Sequence, residues 1–152
     1  MRQLKQKVYE LLCMKDEAQS LEGILSLPPG KSVNALFTYI QHTTEAVKWR
    51  AITAMGRVVL QIYEDKPESA RIIMRRLMWS LNDESGGIGW GAPEAMGEIM
   101  ALNKKIAWEY RNLLLSYVDS EGNYLEYAPL RKGAVWAIKR VTEAHPDVMA
   151  GD

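Results

Sequence analysis

The chain has one cysteine, one phenylalanine, two histidines and no formal net charge in 152 residues. A single thiol excludes an intramolecular disulfide and suits a reducing compartment. Cys13 follows Leu11 and Leu12 in a helical stretch, so a buried position is expected rather than a nucleophile; free cysteine packs as a small hydrophobe. His42 and His145 have no second histidine or cysteine at metal-ligand spacing, which argues against zinc. Neutrality removes the overall positive field that nucleic acid or an anionic membrane would attract. No apolar run nears the about 18 residues of a spanning helix. The opening M-R-Q-L-K-Q-K-V has basic residues but lacks the apolar stretch of a secretory signal. The expectation is a cytoplasmic protein with no membrane partner.

What is present is ordinary for one soluble domain: 47% hydrophobic and 25% charged residues. The charges are uneven. Residues 1–60 carry eight basic and five acidic side chains, and residues 83–152 carry seven and eleven. Five tryptophans and seven tyrosines outweigh the lone phenylalanine, a balance suited to half-buried positions and contact faces.

The strongest pattern is a repeat. Ala92, Ala95, Met96 and Ile99 share one helix face by their spacing. About 41 residues earlier stand Ala51, Ala54, Met55 and Val58; about 42 later stand Ala134, Ala137, Ile138 and Val141. Trp49 matches Trp90 and Gly56 matches Gly97. Paired small residues let another helix approach closely, while the larger pair fills the space beside them. The preceding helices repeat as well. Val33, Leu36, Phe37 and Ile40 recur as Met74, Leu77, Met78 and Leu81, then as Tyr110, Leu113, Leu114 and Tyr117.

A two-helix unit of this period falls in the range of HEAT and armadillo-type repeats. The A-x-x-A-M-G-x-[IV] segments resemble the second helices of HEAT-like repeats. Asn82–Ile99 resembles a signature of bacterial HEAT-like repeat proteins, some named for similarity to the phycobilisome lyase repeat. The resemblance covers about Ser32 to Val141. It implies an all-α, right-handed α-α superhelix of about four antiparallel helix pairs and a protein-binding or scaffold role. It carries over no catalytic residue and no cofactor. Lyase-type repeats are shorter, near 30 residues each, so bilin-lyase activity does not follow. Nor does the DNA binding of alkylation-repeat glycosylases, which use a basic concave surface. The expected organisation is one domain: residues 1–27 an atypical capping pair, then repeat pairs at 31–63, 67–102 and 103–145.

Local signals place the breaks. Helix one is expected over Arg2–Met14, burying Leu4, Val8, Leu11 and Leu12. Asp16 caps the second helix, and Leu27-Pro28-Pro29-Gly30 ends it. Ser32 is expected to cap the third helix, Pro67 to open the fifth, Asn103 to cap the seventh and Pro129 to open the last. Val148–Asp152 is expected to fray.

Functional candidates centre on the loop at residues 82–91. Gly86, Gly87, Gly89 and Gly91 permit positive φ and close backbone approach. Such a turn before a helix can cradle an anion, but Asp83, Glu84, Glu94 and Glu98 oppose one, and no nucleotide-binding pattern or lysine is present. A structural wrap around Trp90 explains the glycines equally well. The loop is longer than its counterpart at Gln41–Thr44, so Asp83, Glu84, Gly86, Gly87 and Trp90 are the candidate recognition residues. Arg71, Arg75 and Arg76 form a possible basic surface on the preceding helix, with ion pairing to neighbouring acids the simpler account. Asp119, Glu121 and Asn123 lack the glycine and distal glutamate of a calcium loop. No nucleophile elbow surrounds Ser85, and nothing meets the geometric requirements of an active site. The reading is a non-catalytic interaction module whose partner is another protein. The alternative is a small enzyme or an anion- or ligand-binding protein using the loop.

Overall fold

The computed structural model describes residues 2–150, without the side chain of Asp83. Among the described residues there are nine α-helices and no strand: α1 Arg2–Leu12, α2 Glu17–Leu25, α3 Pro29–Tyr39, α4 Glu45–Asp65, α5 Pro67–Ser80, α6 Ala92–Leu102, α7 Lys104–Ser116, α8 Ala128–Ala144 and α9 Pro146–Ala150. A single 3-10 turn spans Asp83–Ser85.

The punctuation read from the sequence explains most boundaries. The Asp16 carboxylate accepts from the Gln19 amide at 3.0 Å, capping α2. Asn103 does the same for Ile106 at 3.2 Å, so one residue ends α6 and starts α7. Pro67, Pro93 and Pro129 sit in first turns, where a missing N–H costs nothing. Ser32 departs from expectation. It lies inside α3, and its hydroxyl donates back to the Pro28 and Pro29 carbonyls; Pro29 starts the helix a turn earlier. Cys13 departs too. It is exposed, because α1 ends at Leu12 and the chain turns before the next residue can reach the core. Leu4 is only half-buried.

The even-numbered helices α2, α4, α6 and α8 pack one on the next, and α1, α3, α5 and α7 each pack on the even helix that follows. α4 also meets α5, and α6 meets α7. The alanines at 51, 54, 92, 95, 134 and 137 are all buried. Their small side chains set the spacing. A Cβ placed on Gly97 would lie 2.5 Å from that of Ala137, so α6 and α8 touch almost backbone to backbone there. α6 is the centre of the molecule, with every residue from Ala92 to Ala101 buried.

The chain end is also packed. α9 lies against α7 and α8, Val148 is buried, and Lys104 reaches Asp147 at 2.6 Å. Pro146 restarts a helix after His145, whose Nε2 lies 3.1 Å from the Met100 carbonyl. Apolar contact therefore orders a segment expected to fray, as far as Ala150; residues 151–152 lie outside the described part.

Candidate functional site: a groove between two loops

The two longest non-helical stretches, residues 81–91 and 117–127, lie on the same side of the molecule. Each is the turn between an odd helix and the following even one, so successive turns fall along one edge. Between them runs an open groove of about 990 Å³. Met78 and Leu81 from the end of α5, Leu113 and Tyr117 from α7, and Leu130 from α8 supply its apolar part. Gly87 and Ile88 edge one side. Ser120 and Asn123–Tyr127 edge the other. Ile88 and Tyr127 are both about half exposed, at 50% and 51%.

The first wall is fixed by local bonds and by glycines that admit close neighbours. The Asn82 side chain accepts from the Glu84 amide at 2.9 Å, and Ser85 Oγ accepts from the Gly87 amide at 3.3 Å. Those two amides are therefore committed within the loop rather than both offered to an anion. Gly91, at φ 79°, caps α6 in the left-handed region, and a side chain there would strike the Ile40 carbonyl. Gly89, at φ 84°, would place a Cβ 2.7 Å from the Ser80 carbonyl. The glycines bring this loop against the ends of α3 and α5. Trp90 is half-buried and meets the Tyr127 ring edge-on, with centroids 5.6 Å apart. It thus links the two walls.

The second wall is pinned as firmly. Asp119 Oδ1 accepts from the Glu121 amide at 2.9 Å, which builds the turn. The Leu125 amide donates to the Tyr117 carbonyl at 2.9 Å. Arg131 holds the rest: its Nη1 donates to the Leu125 and Glu126 carbonyls at 2.8 and 3.2 Å, and its guanidinium lies 4.7 Å from the Tyr124 ring centre. Tyr117 is buried in the groove floor, and burial pushes its phenol up to about 12.

The other sequence candidates fall elsewhere or into internal pairs. Glu84 is exposed on the loop, as are Gly86 and Gly87, and the side chain of Asp83 lies outside the described part. Arg71 makes a two-pronged pair with Glu109 on α7 at 2.8 and 2.9 Å. Arg75 pairs with Glu68 at 2.6 Å. Arg76 donates to Asn34 at 3.0 Å and lies over the Phe37 ring at 4.0 Å. Arg75 and Arg71 hold the Glu68 carboxyl below the usual glutamate range, and Arg71 does the same for Glu109. The α4 cations are separate: Lys48 pairs with Glu94 at 3.4 Å, and Arg50 donates to the Met14 and Lys15 carbonyls past the end of α1 at 2.6 and 3.1 Å.

Glu94 and Glu98, one turn apart on α6, are buried between α4 and α8. Glu98 receives a two-pronged contact from Arg140 at 3.0 and 3.2 Å. Gly133 makes room for the Glu94 carboxylate and Gly56 for the Glu98 stem; a Cβ at either would come within 2.7 Å. Beside them Trp49 from α4 and Trp136 from α8 meet with ring centroids 4.7 Å apart. This face of α6 is filled by paired charges and indoles.

No protein-family profile matches the chain. No solved structure matches it either. An uncharacterized protein of Archaeoglobus fulgidus is 32% identical over 115 residues, covering 74% of this chain and 57% of that one. The chain thus spans little more than half the length of this relative.

Proposed function

We propose that this chain is a HEAT-like interaction module that holds a segment of another protein in the groove between its two long loops. The reading treats α1–α8 as four antiparallel helix pairs in a right-handed superhelical stack. The succession of even-helix contacts and the buried alanines at equivalent positions support it. The observation that carries the functional part is the groove itself. Its floor is apolar, Asn82, Ser120 and Asn123 give it a neutral polar rim, Ile88 and Tyr127 stand exposed at its mouth, and among the described lining residues Glu126 alone carries a charge. Such a surface favours apolar side chains over a phosphate or a charged metabolite. Both walls are braced by internal hydrogen bonds, so little ordering cost attends binding.

No helix among the described residues is long and apolar enough to cross a membrane. Among the described residues no hydrogen bond joins a base to a nucleophile in the groove, and the reading is binding rather than chemistry.

The test uses the intact chain as bait beside an Ile88→Asp, Tyr127→Ala variant whose melting temperature matches it. A partner identified with the natural chain should bind the variant at least about tenfold more weakly, a difference of about 1.4 kcal/mol. Equal affinity for the two would rule the groove out. Glu84→Ala, at an exposed position, should leave stability nearly unchanged and report whether the loop's charge adds to recognition.

A further inference from the structure

A second surface differs from the groove in its charge. The furrow between α1 and α3, about 370 Å³, is lined by Arg2, Lys5, Lys31, Asn34 and Thr38 over an apolar floor that includes Leu4. Arg2, Lys5, Lys31, Asn34 and Thr38 are all exposed. None of the three cations makes an ion pair with a described residue, whereas Lys48, Arg71, Arg75 and Arg140 each have a carboxylate. α3 contains no acidic residue, and the one acid of α1, Glu10, lies toward its other end. The Asn34 carbonyl oxygen is taken by Arg76 at 3.0 Å, which leaves its NH₂ as the group on offer. The Thr38 hydroxyl can also donate. No carboxylate lines the furrow.

The helix ends add to this field. Arg2 and Lys31 sit in the first turns of α1 and α3, and neither first turn has an acid. Positive side chains there oppose the helix dipole; α7 begins the same way, with Lys104 and Lys105, whereas α2, α4, α5 and α6 each place a glutamate in the first turn.

We propose that the α1–α3 furrow docks an acidic segment of a partner protein, independently of the loop groove. The charge is complementary, and the donors are strung along two helices rather than converging on one point. Arg2 and Lys5 are about a turn apart, and Lys31, Asn34 and Thr38 follow one face of α3 for two turns. That distribution matches successive carboxylates on an extended chain better than a single phosphate. Nucleic acid fits less well. None of the described residues lining the furrow is aromatic, and the nearby Phe37 ring is covered by Arg76, so the furrow itself offers a base no stacking surface.

The test is fluorescence anisotropy of a labelled octaglutamate peptide with the full chain, with octalysine and an eight-nucleotide oligothymidine alongside. The expected result is octaglutamate binding that weakens markedly between about 20 and 300 mM salt, as screening of exposed charges requires. Lys5→Gln with Lys31→Gln should weaken it several-fold, and charge reversal to glutamate at both positions by more than about tenfold. The groove variant Ile88→Asp should bind the peptide as the natural chain does. Helix content and melting temperature of each variant establish that the fold persists. Absent octaglutamate binding, equal binding by a folded glutamine variant, or tighter binding of oligothymidine would each overturn the assignment.

Discussion

Trp49 and Trp136 come from helices on opposite sides of α6, yet their rings meet at 4.7 Å with planes inclined by 58°. The contact joins α4 to α8 across the helix between them. In an open stack of helix pairs the corresponding face would be available to a ligand; here indoles and the Lys48–Glu94 and Arg140–Glu98 pairs occupy it. The two proposed docking surfaces, the loop edge and the outer furrow, lie away from this filled face.

A double-mutant cycle on the two tryptophans should show coupling. Each single alanine variant lowers stability to urea. The double variant should lose less than the sum by about 0.5–1.5 kcal/mol, the range for a paired aromatic contact. Strict additivity would mean that each ring packs independently.

Gly97→Ala should be costly for its size. The added methyl meets Ala137 Cβ at 2.5 Å and Cα at 2.7 Å, so backbone must move. Ala95→Leu should overpack the same small-residue helix. Both should lose about 1–3 kcal/mol in thermal or urea unfolding. Gly30→Ala is the control: nothing lies within 4 Å of its Cβ, and a gain of about 0.4–1 kcal/mol is expected.

Acid should loosen the outer helices. Glu68 and Glu109 are held below the glutamate range by Arg75 and Arg71, and Asp147 below the aspartate range by Lys104. Depressed carboxyls favour the folded state above their unfolded values, near 4, and this contribution is lost as pH falls through the lower folded values. Melting temperature should therefore decline on acidification below about pH 4. Arg71→Gln should flatten that decline, as should high salt, because these charges are largely exposed.

Alkali tests the groove floor. Burial raises Tyr117 to about 12, while an unfolded tyrosine titrates near 10. The folded state resists its ionisation, so stability should fall as pH rises from about 10 to 12. Tyr9 and Tyr39 are also raised, so absorbance at the phenolate band should show several late tyrosines, with the component near 12 removed in Tyr117→Phe. A component near 12 surviving in Tyr117→Phe would assign it elsewhere.

The sequence showed the elements better than the sites. Ala51, Ala92 and Ala134 were legible because a helix contact demands small residues at fixed spacing, and caps such as Asp16 and Asn103 act over three residues. The loop at residues 82–91 was legible as unusual through its glycines. Its facing wall was not, because Tyr127 and Ile88 become neighbours only when two turns line up along one edge. That both are odd-to-even turns of successive helix pairs was the available clue. The Trp49–Trp136 contact had no local sign. Cys13 misled because its helix stops one residue too soon, and Val148 because burial of a short segment depends on distant α7 and α8.

The enclosure of α6 also bears on how the chain is made. Its housing is contributed by α4 and α5, synthesised earlier, and by α7 and α8, synthesised later. During translation a helix that ends up buried along almost its whole length must therefore wait half-covered until residues 128–144 emerge. Its two glutamates wait unequally: Lys48 already stands upstream of Glu94, whereas Arg140, the partner of Glu98, is still to come. Emergence of α8, rather than of α6 itself, becomes the moment at which the central part of the molecule closes.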